Sequence, residues 1–151
     1  MLETATVLDS IAEQVLETMF FSAVLGPAEE PVDVPRLTAL VSFSGSHAGL
    51  LGVSGDAATA NALAANFLGV AGDEVPPGQE PAVLGELANV LCGAVLGHAE
   101  PEGRFTIYPP QISDTEECVA ILHKTQIQRN FETTEGCLTI GLTILEDGPL
   151  A

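Results

Sequence analysis

The segment Ala82–Gly97, AVLGELANVLCGAVLG, constrains the fold more than any other part of the chain. At about 3.6 residues per turn, Val83, Leu84, Leu87, Val90, Leu91, Ala94 and Val95 fall on one broad apolar face. That is the spacing of a helix packed against a core. The opposite stripe holds Ala82, Glu86, Asn89, Gly93 and Gly97. Only Glu86 and Asn89 carry functional groups there, and the small residues around them let another backbone come close. A glycine inside a helix costs about 1 kcal/mol relative to alanine. Two glycines on one stripe therefore call for a benefit outside helix stability, and a docking surface for a partner fits.

Such a helix needs something to cover its apolar face. Leu2–Leu25 reads as a second long helix, with Val7, Leu8, Ile11, Val15, Leu16 and Met19 turned inward and Gly26-Pro27 as its stop. Ala28–Pro35 reads as an acidic, proline-containing loop. Leu37–Phe43 and Leu50–Val53 read as an antiparallel hairpin, with His47 solvated in the turn. Asp56 suits the N-cap of an alanine-rich helix, Ala57–Leu68, that Gly69 stops. Ala71–Pro81 is then a linker. Arg104–Tyr108 reads as a strand ended by Pro109-Pro110. Cys118–Asn130 reads as another, whose Lys124 and Arg129 suit an exposed edge. Gly136 opens a last strand, Leu138–Leu145.

The segments SGSHAGLLGV and TTEGCLTIGL resemble each other. Together with the two long helices they suggest a diverged internal duplication of helix plus strands. The expected fold is α+β, with long helices packed in one layer on a mainly antiparallel sheet. One domain over residues 1–151 accommodates it.

Charge narrows the function. The 21 acids face four cations, Arg36, Arg104, Lys124 and Arg129, for a net charge of −17. Such a surface repels nucleic acid and anionic lipid, and no basic stripe overcomes it. An apolar content of 46% suits a globular chain. Cys92, Cys118 and Cys137 are odd in number and lack metal-like spacing, so buried thiols in a reducing cytoplasm are expected. His98 and His123 have no partner at ligand spacing, and no metal site is expected. MLETATVLDS has no basic n-region and acids interrupt the apolar runs, so neither a leader nor a membrane span is expected. There is no Ser/His/Asp set, and GSHAGLLG lacks the lysine of a phosphate-binding loop.

Glu86-x-x-Asn89 followed by Gly93 carries a family resemblance. ELANVLCG resembles the signature helix of the CheC/CheX/FliY family of chemotaxis phosphatases, and CheX most. The family pattern has Asp or Ser where this chain has Ala82, and a later proline that Pro109 or Pro110 meets, one or two positions short. The N-terminal helix ending in ETMFF, the glycine-rich strand pair, the short helix and the signature helix follow the family's order over nearly the whole chain. Within the first helix, Asp9-x-x-x-Glu13-x-x-Leu16 fits the same pattern except that Leu16 replaces the Asn. It is either a copy that has lost its amide or a chance match.

The resemblance implies a CheC-like two-layer fold and hydrolysis of the aspartyl phosphate on a CheY-like response-regulator receiver domain. Glu86 and Asn89 would be catalytic, and Ala82, Gly93 and Gly97 would dock the partner. The residue types suit that chemistry. A carboxamide can both accept from and donate to a water, and so hold it in line without becoming a rival nucleophile. Glutamine acts similarly in small GTPases. Glu86 would pair with the receiver's lysine. The Mg²⁺ would sit on the receiver, and the chain itself would need no cofactor. A homodimer is plausible from the family and from an exposed strand. The alternative is a non-catalytic CheX-like binding module that docks receiver domains or self-associates, with Glu86 and Asn89 giving recognition only.

Overall fold

The computed structural model describes residues 2–29 and 35–145. Its first helix, α1, is Leu2–Met19. It is followed by β1 (Val24–Pro27), β2 (Arg36–Gly45), β3 (Ala48–Asp56), α2 (Ala57–Leu68), α3 (Gln79–Ala99), β4 (Phe105–Ile107), β5 (Gln111–Ser113), α4 (Glu116–His123), β6 (Ile127–Thr133) and β7 (Gly136–Leu145). The strands form one seven-stranded sheet in the order β1-β6-β7-β3-β2-β4, with β5 also on β2. Every pairing is antiparallel.

The order has an internal symmetry. Exchanging β1 with β4, β2 with β6 and β3 with β7 returns the same sheet read backwards. This is the two-fold relation that a duplicated helix-plus-strands unit produces. Gly52 and Gly141 occupy the same place in SGSHAGLLGV and TTEGCLTIGL, and they face each other across the central β3–β7 pair.

Side chains alternate across the sheet. Leu51 and Val53 of β3 and Leu138, Ile140 and Leu142 of β7 point to one face. There they join Leu8, Ile11 and Leu16 of α1 and Leu84, Leu87 and Leu91 of α3 in one core. Thr4 near the start of α1 and Leu96 and Ala99 near the end of α3 line one cavity, so the two long helices run antiparallel over the sheet. On the other face Gly52 and Gly141 leave a depression. A Cβ on either glycine would come within 2.7 Å of the Leu122 side chain, which fills it from α4 with no exposure.

Asp56 caps α2 as expected. Its Oδ1 accepts from the Thr59 N–H at 2.7 Å. Gly69 ends the helix at φ 72°, a conformation that costs glycine little. The β2–β3 hairpin and β7 also stand where the pattern places them.

Elsewhere the structure corrects the sequence reading. The first helix stops at Met19 rather than Leu25. Phe20 is fully buried, stacked on Phe67 at 5.1 Å between ring centroids, and Phe21 turns the chain at φ 50°. Val24–Pro27 then pairs with β6. Part of the expected loop 28–35 lies outside the described residues. Cys118–Asn130 is not a strand: its first half is α4 and its second half belongs to β6. β6 lies between β1 and β7, so it is no edge, and the exposed-strand argument for a homodimer falls with it. Lys124 caps α4, and Arg129 on β6 donates to Asp9 Oδ1 of α1 at 2.9 Å. Of the three thiols only Cys92 is buried, while Cys118 and Cys137 are half-buried.

Candidate functional site

α3 starts three residues earlier than the linker reading allowed, with Pro81 inside its first turn. A proline there breaks no helical hydrogen bond. Val83, Leu84, Leu87, Ala88, Leu91 and Val95 are buried, while Ala82, Glu86, Asn89, Gly93 and Gly97 are all exposed. The stripe read from the sequence is thus an exposed face of the helix. Among the described residues neither Glu86 nor Asn89 makes a hydrogen bond or an ion pair. The carboxylate and the carboxamide stand one turn apart, free to meet incoming groups.

The glycines on this stripe answer no internal need. A Cβ on Gly97 would meet nothing within 4 Å, and one on Gly93 would make an ordinary contact of 3.7 Å with Ile107 Cδ1. Gly85 is different. A Cβ there would lie 2.8 Å from Ile112 Cδ1 and 3.1 Å from Pro110 Cγ. Pro110 and Ile112 therefore lie directly against α3, one residue before Glu86. The sequence reading passed over Gly85. The available signal was a glycine between Leu84 and Leu87, on the flank between the apolar face and the exposed stripe.

Cys92 lies behind the stripe, 1% exposed. Burial pushes its thiol up to about 12, so it stays neutral and is no nucleophile. Among the described residues no three His, Cys, Asp or Glu side chains converge to hold a metal. His98 is exposed at the end of α3. His47 is not the solvated turn residue expected. Its Nε2 lies 2.7 Å from Glu100 Oε1, its Nδ1 lies 3.3 Å from the Leu145 carbonyl, and its ring packs on Phe105. It ties the hairpin turn to the C-cap of α3. By length and composition α3 could cross a membrane, but half of it is buried inside this domain, as in the core helix of a soluble protein.

A family model described as chemotaxis phosphatase CheX matches residues 37–132. The chain belongs to the CheX family. The match takes in β2 to β6, and with them α3 and its exposed stripe. No curated protein matches the chain in sequence. Among solved structures, a chemotaxis protein CheX from Vibrio vulnificus is 22% identical, with a TM-score of 0.72 over 95% of this chain and 97% of that one. CheX from Desulfovibrio desulfuricans is 20% identical, with a TM-score of 0.70 over 95% and 99%. A CheX-CheY-BeF3-Mg²⁺ complex from Borrelia burgdorferi matches at 18% identity and a TM-score of 0.66, over 92% of this chain and 96% of that one. At these identities the likeness is one of fold, and it extends over nearly the full length of each partner.

Proposed function

We propose that this CheX-family chain hydrolyses the aspartyl phosphate of a CheY-like receiver domain, with Asn89 orienting the attacking water. One observation carries the reading: Glu86 and Asn89 stand exposed, and unpartnered among the described residues, one turn apart on the central helix of a chemotaxis-phosphatase fold. The receiver brings the acyl phosphate, its Mg²⁺ and a lysine. What it lacks is a water fixed in line with the scissile P–O bond. Asn89, laid against the receiver, accepts one hydrogen bond from that water and donates another to it, and so holds it in line. The gain is one of position rather than proton transfer. Glu86 pairs with the receiver's lysine and sets the register of α3. Ala82, Gly93 and Gly97 keep the helix surface low enough for the two backbones to approach.

The test is a mixing experiment. CheY-like receiver domains are phosphorylated with a small-molecule phosphodonor, and phosphate loss is followed with and without the protein. Faster loss that depends on Asn89 supports the reading. Binding without any acceleration replaces it with a docking module, in which Glu86 and Asn89 only recognise the partner.

A further inference from the structure

We infer that Gly85 is a positioning residue: the space left by its absent side chain lets the Pro110–Ile112 segment press against the turn of α3 that carries Glu86 and Asn89. The inference rests on the phosphatase reading of that helix.

The geometry is specific. Gly85 is buried, and its position on α3 is one turn before Asn89, on the same side of the helix. The segment that meets it is not a free loop. Ile112 pairs with Ala39 and Gln111 with Leu40, which fastens β5 to β2 within the sheet. Pro110, with its fixed φ, leads directly into that strand. α3 is therefore held from two directions. The sheet supports it through Leu84, Leu87 and Leu91, and the Pro110–Ile112 wall presses on it from the side next to Asn89. The wall meets α3 at Gly85, one turn before Asn89, which stays exposed.

The contrast within one helix separates two uses of glycine. At Gly93 and Gly97 a methyl group meets an ordinary contact or nothing, and at Gly85 it meets the wall. In Gly85→Ala, the Ile112 Cδ1 at 2.8 Å is the flexible end of a side chain and can move, but the Pro110 ring at 3.1 Å is rigid. The helix or the wall must give by a few tenths of an ångström. A misplacement of about 1 Å costs on the order of 100-fold in rate. Gly85→Ala should therefore lower turnover at saturating phosphorylated receiver by roughly three- to tenfold, while docking changes less than twofold. Ile112→Val removes the closer of the two contacts and leaves the Pro110 ring in place, so Gly85→Ala/Ile112→Val should regain part of the lost turnover.

The experiment measures turnover at saturating receiver, the affinity for beryllofluoride-treated receiver, and the melting temperature, for wild type, both variants and Asn89→Ala. Loss of turnover with docking retained and rescue by Ile112→Val supports the inference. Wild-type turnover in Gly85→Ala overturns it. So does a loss that merely follows the melting temperature and that Ile112→Val does not restore. Asn89→Ala separates the two readings. If it is inactive while Gly85→Ala is unimpaired, only the positioning role fails. If Asn89→Ala turns over like wild type, the water-orienting reading fails and the positioning role goes with it.

Discussion

Replacing Gly93 and Gly97 by alanine should raise stability and weaken docking at once. The stabilising part follows from the helix. Both residues lie inside α3, neither has a positive φ, and a Cβ meets Ile107 Cδ1 at 3.7 Å in one case and nothing in the other. Each alanine thus gains up to about 1 kcal/mol of helix propensity with no steric penalty. Gly97 is in the last turn, where the gain is smaller, so the pair should be worth about 1–2 kcal/mol. For a domain of this size that corresponds to a rise in Tm of roughly 2–8 °C. The opposing part appears only in the complex. Two methyl groups on a surface that a partner backbone approaches closely should cost about 1–3 kcal/mol of overpacking. A weakening of roughly tenfold or more follows. Calorimetry gives the first quantity, and initial rates over a range of phosphorylated receiver give the second. A higher Tm with unchanged KM would remove these glycines from the interface. A lower Tm would mean that the surroundings of Gly93 have been misread.

Asn89→Ala should retain the fold and most of the docking, because the residue is exposed and makes no hydrogen bond among the described residues. Its turnover should fall by about two to three orders of magnitude, the usual loss for one preorganised hydrogen-bonding group. Asn89→Asp should be at least as damaging, since it loses the donor and sets a negative charge beside the phosphoryl oxygens; single-turnover rates decide both. Glu86→Ala should act partly through binding, with a loss that shrinks as salt is raised, measured by titration at two ionic strengths. Cys92 should resist an aromatic disulfide reagent at pH 8 while Cys118 and Cys137 react, and unfolding should release it. Because burial raises its thiol from 9.0 to about 12, the stability tied to its neutral form is complete below about pH 9 and is lost as pH climbs toward 12. Denaturant melts across that range check the sign.

What was legible in the sequence was the part governed by short-range rules. The apolar period of Ala82–Gly97, the Asp56 cap, the Gly69 stop and the β2–β3 alternation each depend on neighbours a few residues apart, and each stands in the structure. The loose match of SGSHAGLLGV to TTEGCLTIGL also held, since it places Gly52 opposite Gly141. The failures share a different cause. Nothing at Phe20-Phe21 breaks a helix by composition, and what ends α1 is the burial of Phe20 against Phe67. CVAILH is too short an apolar run for its period to separate helix from strand, and its helical form rewards Leu122 with the depression over two glycines. His47 and Gly85 depend on partners far along the chain, Glu100 and Pro110. No local pattern encodes such contacts.

Asp9-x-x-x-Glu13-x-x-Leu16 on α1 and Ala82-x-x-x-Glu86-x-x-Asn89 on α3 sit differently on their helices, and this limits what a mutation can create. In the aligned patterns Leu16 corresponds to Asn89. On α1 the exposed residues include Ser10, Glu13 and Glu17, while Leu16 is fully buried in the core. On α3 the exposed residues include Glu86, Asn89 and Gly93. Relative to the pattern, then, α1 is rolled so that the amide position faces the sheet and only the Glu13 position stays outside. Asp9, at the head of the pattern, is already committed to Arg129. Leu16→Ala should therefore cost about 2–5 kcal/mol as a core truncation and leave the turnover of the folded fraction unchanged. Leu16→Asn should not create a second site. It loses the same apolar burial and adds an amide without partners in the core, about 1–3 kcal/mol more. The sum approaches the whole stability of a typical domain, about 5–15 kcal/mol. Chemical denaturation, with turnover measured per folded molecule, tests both variants. A well-folded Leu16→Asn protein with raised phosphatase activity would show that α1 can present that residue to a receiver, and the roll of the helix inferred from its burial would be wrong.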